Sequence, residues 1–139
     1  MNIYCAGPIK GDVSYQKFYI EIISHIDSLG LTALSELNNK FSEKESLTAE
    51  EIFNRDIGWI KKSDLIIAEV SGPSLGVGFE IAFGLYQLNI PVLALYNKEV
   101  KKVSAMITGC NSKLLTVIGY TNTGDLKNSI STFIKNLEK

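Results

Sequence analysis

Short apolar runs alternate along this chain with longer segments in which apolar residues recur at helical spacing. The continuous apolar runs predict five strands, at residues 2–6, 31–34, 65–70, 92–96 and 114–118. The helical spacing predicts helices at residues 13–29, 48–62, 75–88 and 126–137. Residues 38–46 are polar and predict a loop, whereas residues 98–112 fit no single pattern. Continuous apolar strands that alternate with helices are typical of a parallel sheet with helices on both faces.

We therefore expect one α/β domain over residues 1–139, a flavodoxin-like or Rossmann-like sandwich with a five-stranded parallel sheet between helices. Sheets of this kind bind ligands at the carboxyl ends of their strands, near the point where the strand order reverses. Three segments that follow predicted strands carry residues suited to chemistry, namely residues 6–11, residues 71–78 and the residues after Tyr96. A ligand site is expected where these segments meet.

The segment between the third predicted strand and the next helix is the most informative. It reads Ser-Gly-Pro-Ser-Leu-Gly-Val-Gly-Phe-Glu over residues 71–80. The helix begins near Ser74, and the lack of side chains at Gly76 and Gly78 lets a ligand approach its first turn closely. Free N–H groups at a helix N-terminus suit phosphate. In the alternative interpretation, these glycines only allow the helix to pack tightly on a strand, and Glu80 is a solvated residue.

Two carboxylates are candidates for catalysis. Glu80 lies close to a turn that favours phosphate. Because its negative charge would repel a bound phosphate, a carboxylate at this position suits attack on carbon better than simple binding. Asp56 lies on the preceding predicted helix, which Thr48 and Glu51 open with a capping box. Two carboxylates in separate environments are the usual means of breaking a glycosidic bond. The alternative for Asp56 is a surface residue paired with a basic neighbour such as Arg55.

Two polar residues interrupt otherwise apolar strands. Tyr4 lies in the first strand, where we expect a half-buried ring whose hydroxyl reaches a carboxylate at the carboxyl end of the sheet. Glu69 lies in the third strand and requires a hydrogen-bonding partner if it is buried. Alternatively, Glu69 faces an interface.

The composition excludes several classes of function. Of the 139 residues, 45% are hydrophobic and 21% are charged, as in an ordinary globular protein, and the net charge of −1 gives no reason to expect nucleic acid or a membrane as a partner. Arg55 is the only arginine, so a phosphate site would depend on N–H groups, hydroxyls and lysine. Cys5 and Cys110 are isolated and His25 is the only histidine, which makes a zinc site improbable. No apolar run approaches the roughly twenty residues of a membrane span, and we expect a cytoplasmic, reducing location.

Four blocks of residues match a known family in the same order. They cover residues 3–11, 56–64, 68–80 and 103–109, and the most specific of them reads Pro-Ser-Leu-Gly-Val-Gly-Phe-Glu over residues 73–80. Through these blocks the chain resembles the nucleoside 2-deoxyribosyltransferase superfamily, and most closely its 2'-deoxynucleoside 5'-monophosphate N-glycosidase branch.

The resemblance implies a catalytic role for three residues. Glu80 matches the nucleophile that attacks the anomeric carbon and forms a glycosyl-enzyme intermediate. Asp56 matches the acid that protonates or holds the leaving base, and Tyr4 matches the tyrosine that orients the nucleophile. The implied substrate is a small-molecule nucleotide, and no cofactor or metal is implied.

The resemblance also implies a phosphate site and a homodimer. Ser74 matches a serine that binds the 5'-phosphate, and Ser104 matches one that reaches the phosphate in the neighbouring subunit's site. The alternative for Ser104 is a simple helix cap ahead of residues 105–107. The further residues that the resemblance assigns to substrate binding are Gly7, Pro8, Ile9, Lys10, Gly11, Gly76, Gly78 and Met106.

Three positions depart from the family pattern. Members of the hydrolase branch carry serine at the position of Pro8 and arginine at that of Lys10, so this chain lacks one hydroxyl and one N–H of the expected phosphate site. Glu36 falls near a position where some relatives place a histidine that contacts the base, so the base preference does not transfer. The implied activity is hydrolysis of 2'-deoxynucleoside 5'-monophosphates to free base and 2-deoxyribose 5-phosphate. The alternatives are a transferase that exchanges bases and a non-catalytic nucleotide sensor.

Overall fold

The computed structural model describes residues 1–43 and 45–139. Its strands are β1 (Asn2–Ala6), β2 (Thr32–Leu34), β3 (Leu65–Glu69), β4 (Val92–Asn97) and β5 (Leu115–Tyr120). Its α-helices are α1 (Gln16–Ser28), α2 (Ala49–Lys61), α3 (Leu75–Ala82), α4 (Ala105–Thr108) and α5 (Thr123–Leu137). A 3₁₀ turn covers Asn39–Phe41, and a π-helical segment covers Phe83–Leu88.

The five strands form one parallel sheet in the order β2-β1-β3-β4-β5, which confirms the predicted fold class. The chain runs from β1 outward to β2 and then crosses back to β3 on the other side of β1. The strand order therefore reverses between β1 and β3, where Ala6 pairs with Ala68. Segments that leave the carboxyl ends of these two neighbouring strands diverge at that point and leave room for a ligand.

Alternate strand residues divide the core into two layers, one on each face of the sheet. Ile3, Cys5 and Ile67 pack with residues of α1 and α5 on one face. Tyr4 and Ile66 pack on the other face with residues of α2 and α3. The Tyr4 ring therefore faces the two helices that carry the candidate carboxylates. Within the described part of the chain, no helix combines the length and apolar character needed to cross a membrane.

Helix capping sets most of the boundaries. The predicted capping box at α2 is confirmed, because the Thr48 hydroxyl accepts from Glu51 N–H at 3.2 Å and the Glu51 carboxylate accepts from Thr48 N–H at 2.9 Å. α1 begins at Gln16 rather than at residue 13, because the Asp12 carboxylate accepts from Ser14 N–H at 3.0 Å and forms a local turn instead. Part of the predicted loop at residues 38–46 is a 3₁₀ turn, and residue 44 lies outside the described residues.

The predicted helix at residues 75–88 is continuous in space but changes type. α3 ends at Ala82, and the π-helical segment follows it and ends at Asn89, whose φ of 55° is left-handed. Gly84 lies so close to the sheet that a Cβ there would be 2.4 Å from Ile66 Cδ1. The Gly84 carbonyl accepts from Ile90 N–H at 3.0 Å, which closes the segment before β4. Prediction from apolar spacing cannot distinguish such a widened turn from an α-helix.

Candidate active site

A hydrogen bond joins the first strand to the third α-helix at the strand-order reversal. The hydroxyl of the buried Tyr4 donates to Glu80 Oε2, with Glu80 in the second turn of α3. Burial, followed by the negative charges of Glu80 and Asp56, raises the pKa of the Tyr4 hydroxyl above its ordinary value. Tyr4 is therefore a permanent proton donor to Glu80 at neutral pH.

Arg55 joins two further carboxylates, those of Asp56 and Glu36, near the hydrogen bond between Tyr4 and Glu80. Its Nε donates to Asp56 Oδ1 at 3.0 Å, and its terminal guanidinium nitrogen donates to Glu36 Oε2 at 2.6 Å. The guanidinium carbon lies 4.9 Å from the centre of the Trp59 ring. Asp56 is thus paired with Arg55, as the alternative interpretation of this residue expected. It is not a surface residue, however, because its side chain is only 21% exposed.

The electrostatics couple the candidate carboxylates. The pKa of Glu80 is raised to about 7, chiefly by burial and also by the charges of Asp56 and Glu36, whereas the Tyr4 hydrogen bond and Arg55 oppose the shift. Burial also raises the pKa of Asp56, and contacts with Arg55 oppose that shift. Groups that interact in this way titrate as a pair, so a proton on one favours the anion of the other. The site can therefore hold one proton between an anion and an acid near neutral pH.

The beginning of α3 faces open space. Ser74 caps the helix, its hydroxyl accepting from Val77 N–H at 3.3 Å. Apart from its chain neighbours and the backbone of its own helix, a Cβ placed on Gly76 or Gly78 would have no heavy atom of the protein within 4 Å. The interpretation that these glycines serve tight packing of the helix on a strand is therefore wrong. The first turn of α3 is accessible to a ligand or to a second chain.

A groove of about 850 Å³ lies between α3 and the segment that contains α4. Ser74 and Ser104 both line this groove. Leu75 and Met106 line it as well and are 97% and 83% exposed. The Ser104 hydroxyl accepts from Met106 N–H at 3.3 Å. Ser104 therefore caps α4, which agrees with the alternative interpretation of this residue as a helix cap. None of the residues Tyr4, Asp56 and Glu80 lines the groove, although Phe79 and Ile81 on either side of Glu80 do.

The segment after β1 forms the other side of the strand-order reversal. Gly7 has a packing reason to be glycine, because a Cβ there would lie 2.3 Å from the Tyr19 ring. The Pro8 carbonyl accepts from the Gln16 side chain at 2.8 Å, and Ile9 packs against the core. Lys10 and Gly11 are exposed, and the φ of 78° at Gly11 favours glycine. The segment is thus anchored at Gly7 and exposed at Lys10.

Two groups of contacts could not be identified from the sequence. The first is the bridge from Arg55 to Glu36, because nothing in the spacing of these residues shows that β2 and α2 bring them together. The second surrounds Glu69, whose partners are Ser71 and Tyr120. The expected need for partners at Glu69 is confirmed, but the interpretation that it faces an interface is wrong, because the residue is 1% exposed in the single chain. Residues 1–43 and 45–139 contain no cluster of three or more His, Cys, Asp or Glu that could hold a metal.

Comparison with known proteins gives consistent matches. The family model described as nucleoside 2-deoxyribosyltransferase matches residues 3–125. A Syntrophotalea carbinolica protein with the provisional name 2'-deoxynucleoside 5'-phosphate N-hydrolase 1 is 38% identical, over 91% of this chain and 89% of the relative. The 5-hydroxymethyl-dUMP N-hydrolase of Danio rerio is 33% identical, over 100% of this chain and 99% of the relative. The fold is similar to that of a 2-deoxyribosyltransferase from Bacillus psychrosaccharolyticus, with a TM-score of 0.67 and 22% identity over 91% of this chain and 90% of the other.

Proposed function

Because the chain belongs to the nucleoside 2-deoxyribosyltransferase family, we propose that it hydrolyses the N-glycosidic bond of 2'-deoxynucleoside 5'-monophosphates. The products are the free base and 2-deoxyribose 5-phosphate. The observation that carries this proposal is the hydrogen bond from Tyr4 to Glu80, close to Asp56 and on a helix whose first turn is open. The names of the similar proteins from Syntrophotalea carbinolica and Danio rerio support the same reaction.

The proposed reaction has two displacements at the anomeric carbon. A carboxylate oxygen of Glu80 bonds to C1' while the bond from C1' to the base nitrogen breaks, and the departing base takes its proton from Asp56. Water then attacks C1', gives a proton to Asp56, and the bond between C1' and Glu80 breaks. Tyr4 holds the Glu80 carboxylate in one orientation throughout. Two displacements retain the configuration at C1', as in glycosidases with a carboxylate nucleophile.

We propose that the 5'-phosphate binds at the open beginning of α3. Ser74 supplies a hydroxyl there, and Gly76 and Gly78 leave the space that a phosphate needs. Lys10 supplies a positive charge from the exposed part of the segment after β1. A hydroxyl that donates to a phosphate dianion contributes about 1.5–3 kcal/mol of binding free energy. The phosphate is therefore expected to account for much of the affinity for substrate.

We also propose that the active form is a homodimer in which Ser104 of one subunit completes the phosphate site of the other. The support is the groove beside α3, where the exposed side chains of Leu75 and Met106 lie next to Ser74 and Ser104. Large apolar side chains that are exposed together mark interaction surfaces. Each chain would act as one domain over residues 1–139. The free cysteines Cys5 and Cys110 suit a reducing, cytoplasmic location.

A substrate panel tests the proposed function. Deoxynucleoside monophosphates, the matching deoxynucleosides and ribonucleotides are incubated with the protein, with and without a second free base, and the products are separated by chromatography. We expect free base and 2-deoxyribose 5-phosphate from monophosphates, with nucleosides far slower. Similar rates on nucleosides, with rapid exchange into the added base, would instead identify a transferase. Tight nucleotide binding without any release of base would identify a sensor.

A further inference from the structure

A buried carboxylate at the end of β3 is not used by the proposed reaction. Glu69 Oε1 accepts from Ser71 N–H at 2.7 Å, and Oε2 accepts from the Ser71 hydroxyl at 3.0 Å and from the Tyr120 hydroxyl at 2.5 Å. The Ser71 hydroxyl in turn accepts from Asn97 N–H at 2.8 Å. This group of four residues, the Glu69 network, joins the carboxyl ends of β3, β4 and β5.

The chemistry of the network requires a carboxylate at this position. Three donors converge on two oxygens, and among neutral and charged side chains of this length only an ionised glutamate accepts from all three. The four ion pairs found among residues 1–43 and 45–139 do not include Glu69. An unpaired buried charge is an expensive way to stabilise a sheet, and an apolar side chain would serve stability at least as well. The network therefore indicates a function other than stability.

The network controls the segment that leads to the proposed phosphate site. Ser71 is held at both its backbone N–H and its hydroxyl, and only Gly72 and Pro73 separate it from Ser74. Pro73 has a fixed φ, which limits the freedom of the turn between them. The direction in which the chain leaves Glu69 thus determines where α3 begins.

We propose that Glu69 is a positioning residue for 5'-phosphate binding, because its carboxylate fixes the turn over residues 71–74 and so places the Ser74 hydroxyl and the N-terminus of α3. This inference rests on the proposed function, since it assumes that a phosphate binds there. It assigns Glu69 no contact with the substrate. Its loss should weaken recognition of the phosphate while the contacts among Tyr4, Asp56 and Glu80 persist.

The test compares Glu69→Gln with Ile67→Val. Both residues are buried in β3, two positions apart and on the same face, but Ile67 has no polar contact with the turn. For Glu69→Gln we expect KM for monophosphates, and Kd for 2-deoxyribose 5-phosphate measured by calorimetry, to rise about tenfold with kcat within about twofold. Ile67→Val should leave KM and Kd unchanged. Activity on the matching deoxynucleoside should not respond to either substitution.

Tyr120→Phe is the second variant and keeps the ring that packs against Phe18. It removes one of the three donors, so we expect a smaller rise in KM, of about threefold, even if Glu69→Gln does not fold. An unchanged KM in both variants, or the same rise in Ile67→Val, would overturn the proposal. Failure of the proposed function would appear in the unmodified protein as monophosphates that release no base. The Kd for 2-deoxyribose 5-phosphate tests Glu69 in that case as well.

Discussion

At the scale of single residues, Glu80 must be ionised although it is partly buried. Burial raises its pKa to about 7 from an ordinary 4.5, so the fold favours the protonated carboxyl. The stability that this shift contributes is complete below pH 4.5 and is lost as the pH rises through about 7, where the carboxyl ionises. The ionised carboxylate, which is the form that would attack C1', is thus the form that lowers the free energy of unfolding.

Replacing Glu80 by glutamine should therefore separate activity from stability. Glu80→Gln still accepts from Tyr4 but cannot form the covalent intermediate, so we expect turnover to fall at least about a thousandfold. Nucleotide binding should persist or tighten, because a negative charge near the phosphate is removed. The free energy of unfolding at pH 8, measured with denaturant, should increase by about 1–3 kcal/mol. Near-normal turnover in this variant would contradict the proposed mechanism.

The coupling of the carboxylates predicts how activity depends on pH and how two substitutions change that dependence. The departing base needs one proton from the pair formed by Asp56 and Glu80, and the pair loses this proton when Glu80 titrates beside the ionised Asp56, so kcat/KM should fall as the pH rises through about 7. Tyr4→Phe removes a hydrogen bond to the Glu80 anion and should move this fall to higher pH. Asp56→Asn removes the proton donor and a negative charge beside Glu80, so natural bases should depart about a hundredfold more slowly and the fall above pH 7 should disappear. A fall above pH 7 that persists in Asp56→Asn would show that the proton of the pair does not control it.

At the scale of elements, the glycines at the beginning of α3 lower the stability of the helix but leave its first turn accessible to a ligand. Glycine is a poor helix former, and a Cβ on Gly78 would meet no heavy atom outside its own helix within 4 Å. Gly78→Ala should therefore increase the free energy of unfolding by about 0.5–1 kcal/mol and weaken monophosphate binding. Denaturant titration and KM measurements check the two effects.

Gly84→Ala is the matched control in the next segment of the same helix. A Cβ at Gly84 would lie 2.4 Å from Ile66 Cδ1, so this substitution should destabilise the protein. Equal destabilisation by Gly78→Ala and Gly84→Ala would contradict the open space found at the beginning of α3. Weaker binding with unchanged stability in Gly78→Ala would still support access for a ligand but not the expected gain in helix propensity.

The elements themselves were largely predictable, but the contacts between them were not. Apolar runs predict the strands because both faces of a parallel sheet are covered, and the box formed by Thr48 and Glu51 predicts the start of α2. The bridge from Arg55 to Glu36 joins α2 to the segment after β2, and no local pattern carries that information. Likewise, the sequence around Glu69 predicts that a buried carboxylate needs hydrogen-bonding partners. It does not indicate that one of them is Tyr120, which lies on the edge strand β5, two strands away from β3 in the sheet.

At the scale of the whole molecule, the chain order of the strands assembles the site. β1, β3 and β4 lie side by side although long segments separate them in sequence, so Tyr4 and Glu80 meet across 76 positions of the chain. The groove beside α3 is not lined by these two residues, and it exposes Leu75 and Met106 instead. An exposed apolar groove beside the helix that carries Glu80 is a surface that a second subunit can cover.

Subunit mixing tests that arrangement directly. If Ser104 serves the neighbouring site, a heterodimer of Ser104→Ala and Glu80→Gln chains has one site with both defects and one with neither. After complete exchange of equal amounts, half of the dimers are mixed and half of their sites are intact, so we expect about a quarter of normal activity on monophosphates. Each variant alone should be well below that value at substrate concentrations under the normal KM.

A second mixture provides the control. Asp56 and Glu80 belong to the same subunit's site, since Tyr4 of that subunit is affected by the charge of both. Mixing Asp56→Asn with Glu80→Gln therefore leaves one defect in every site and should restore nothing. Subunit exchange can be verified by a size tag on one of the two chains. If the Ser104→Ala mixture also restores nothing although the tagged chains exchange, Ser104 acts within its own subunit as the cap of α4.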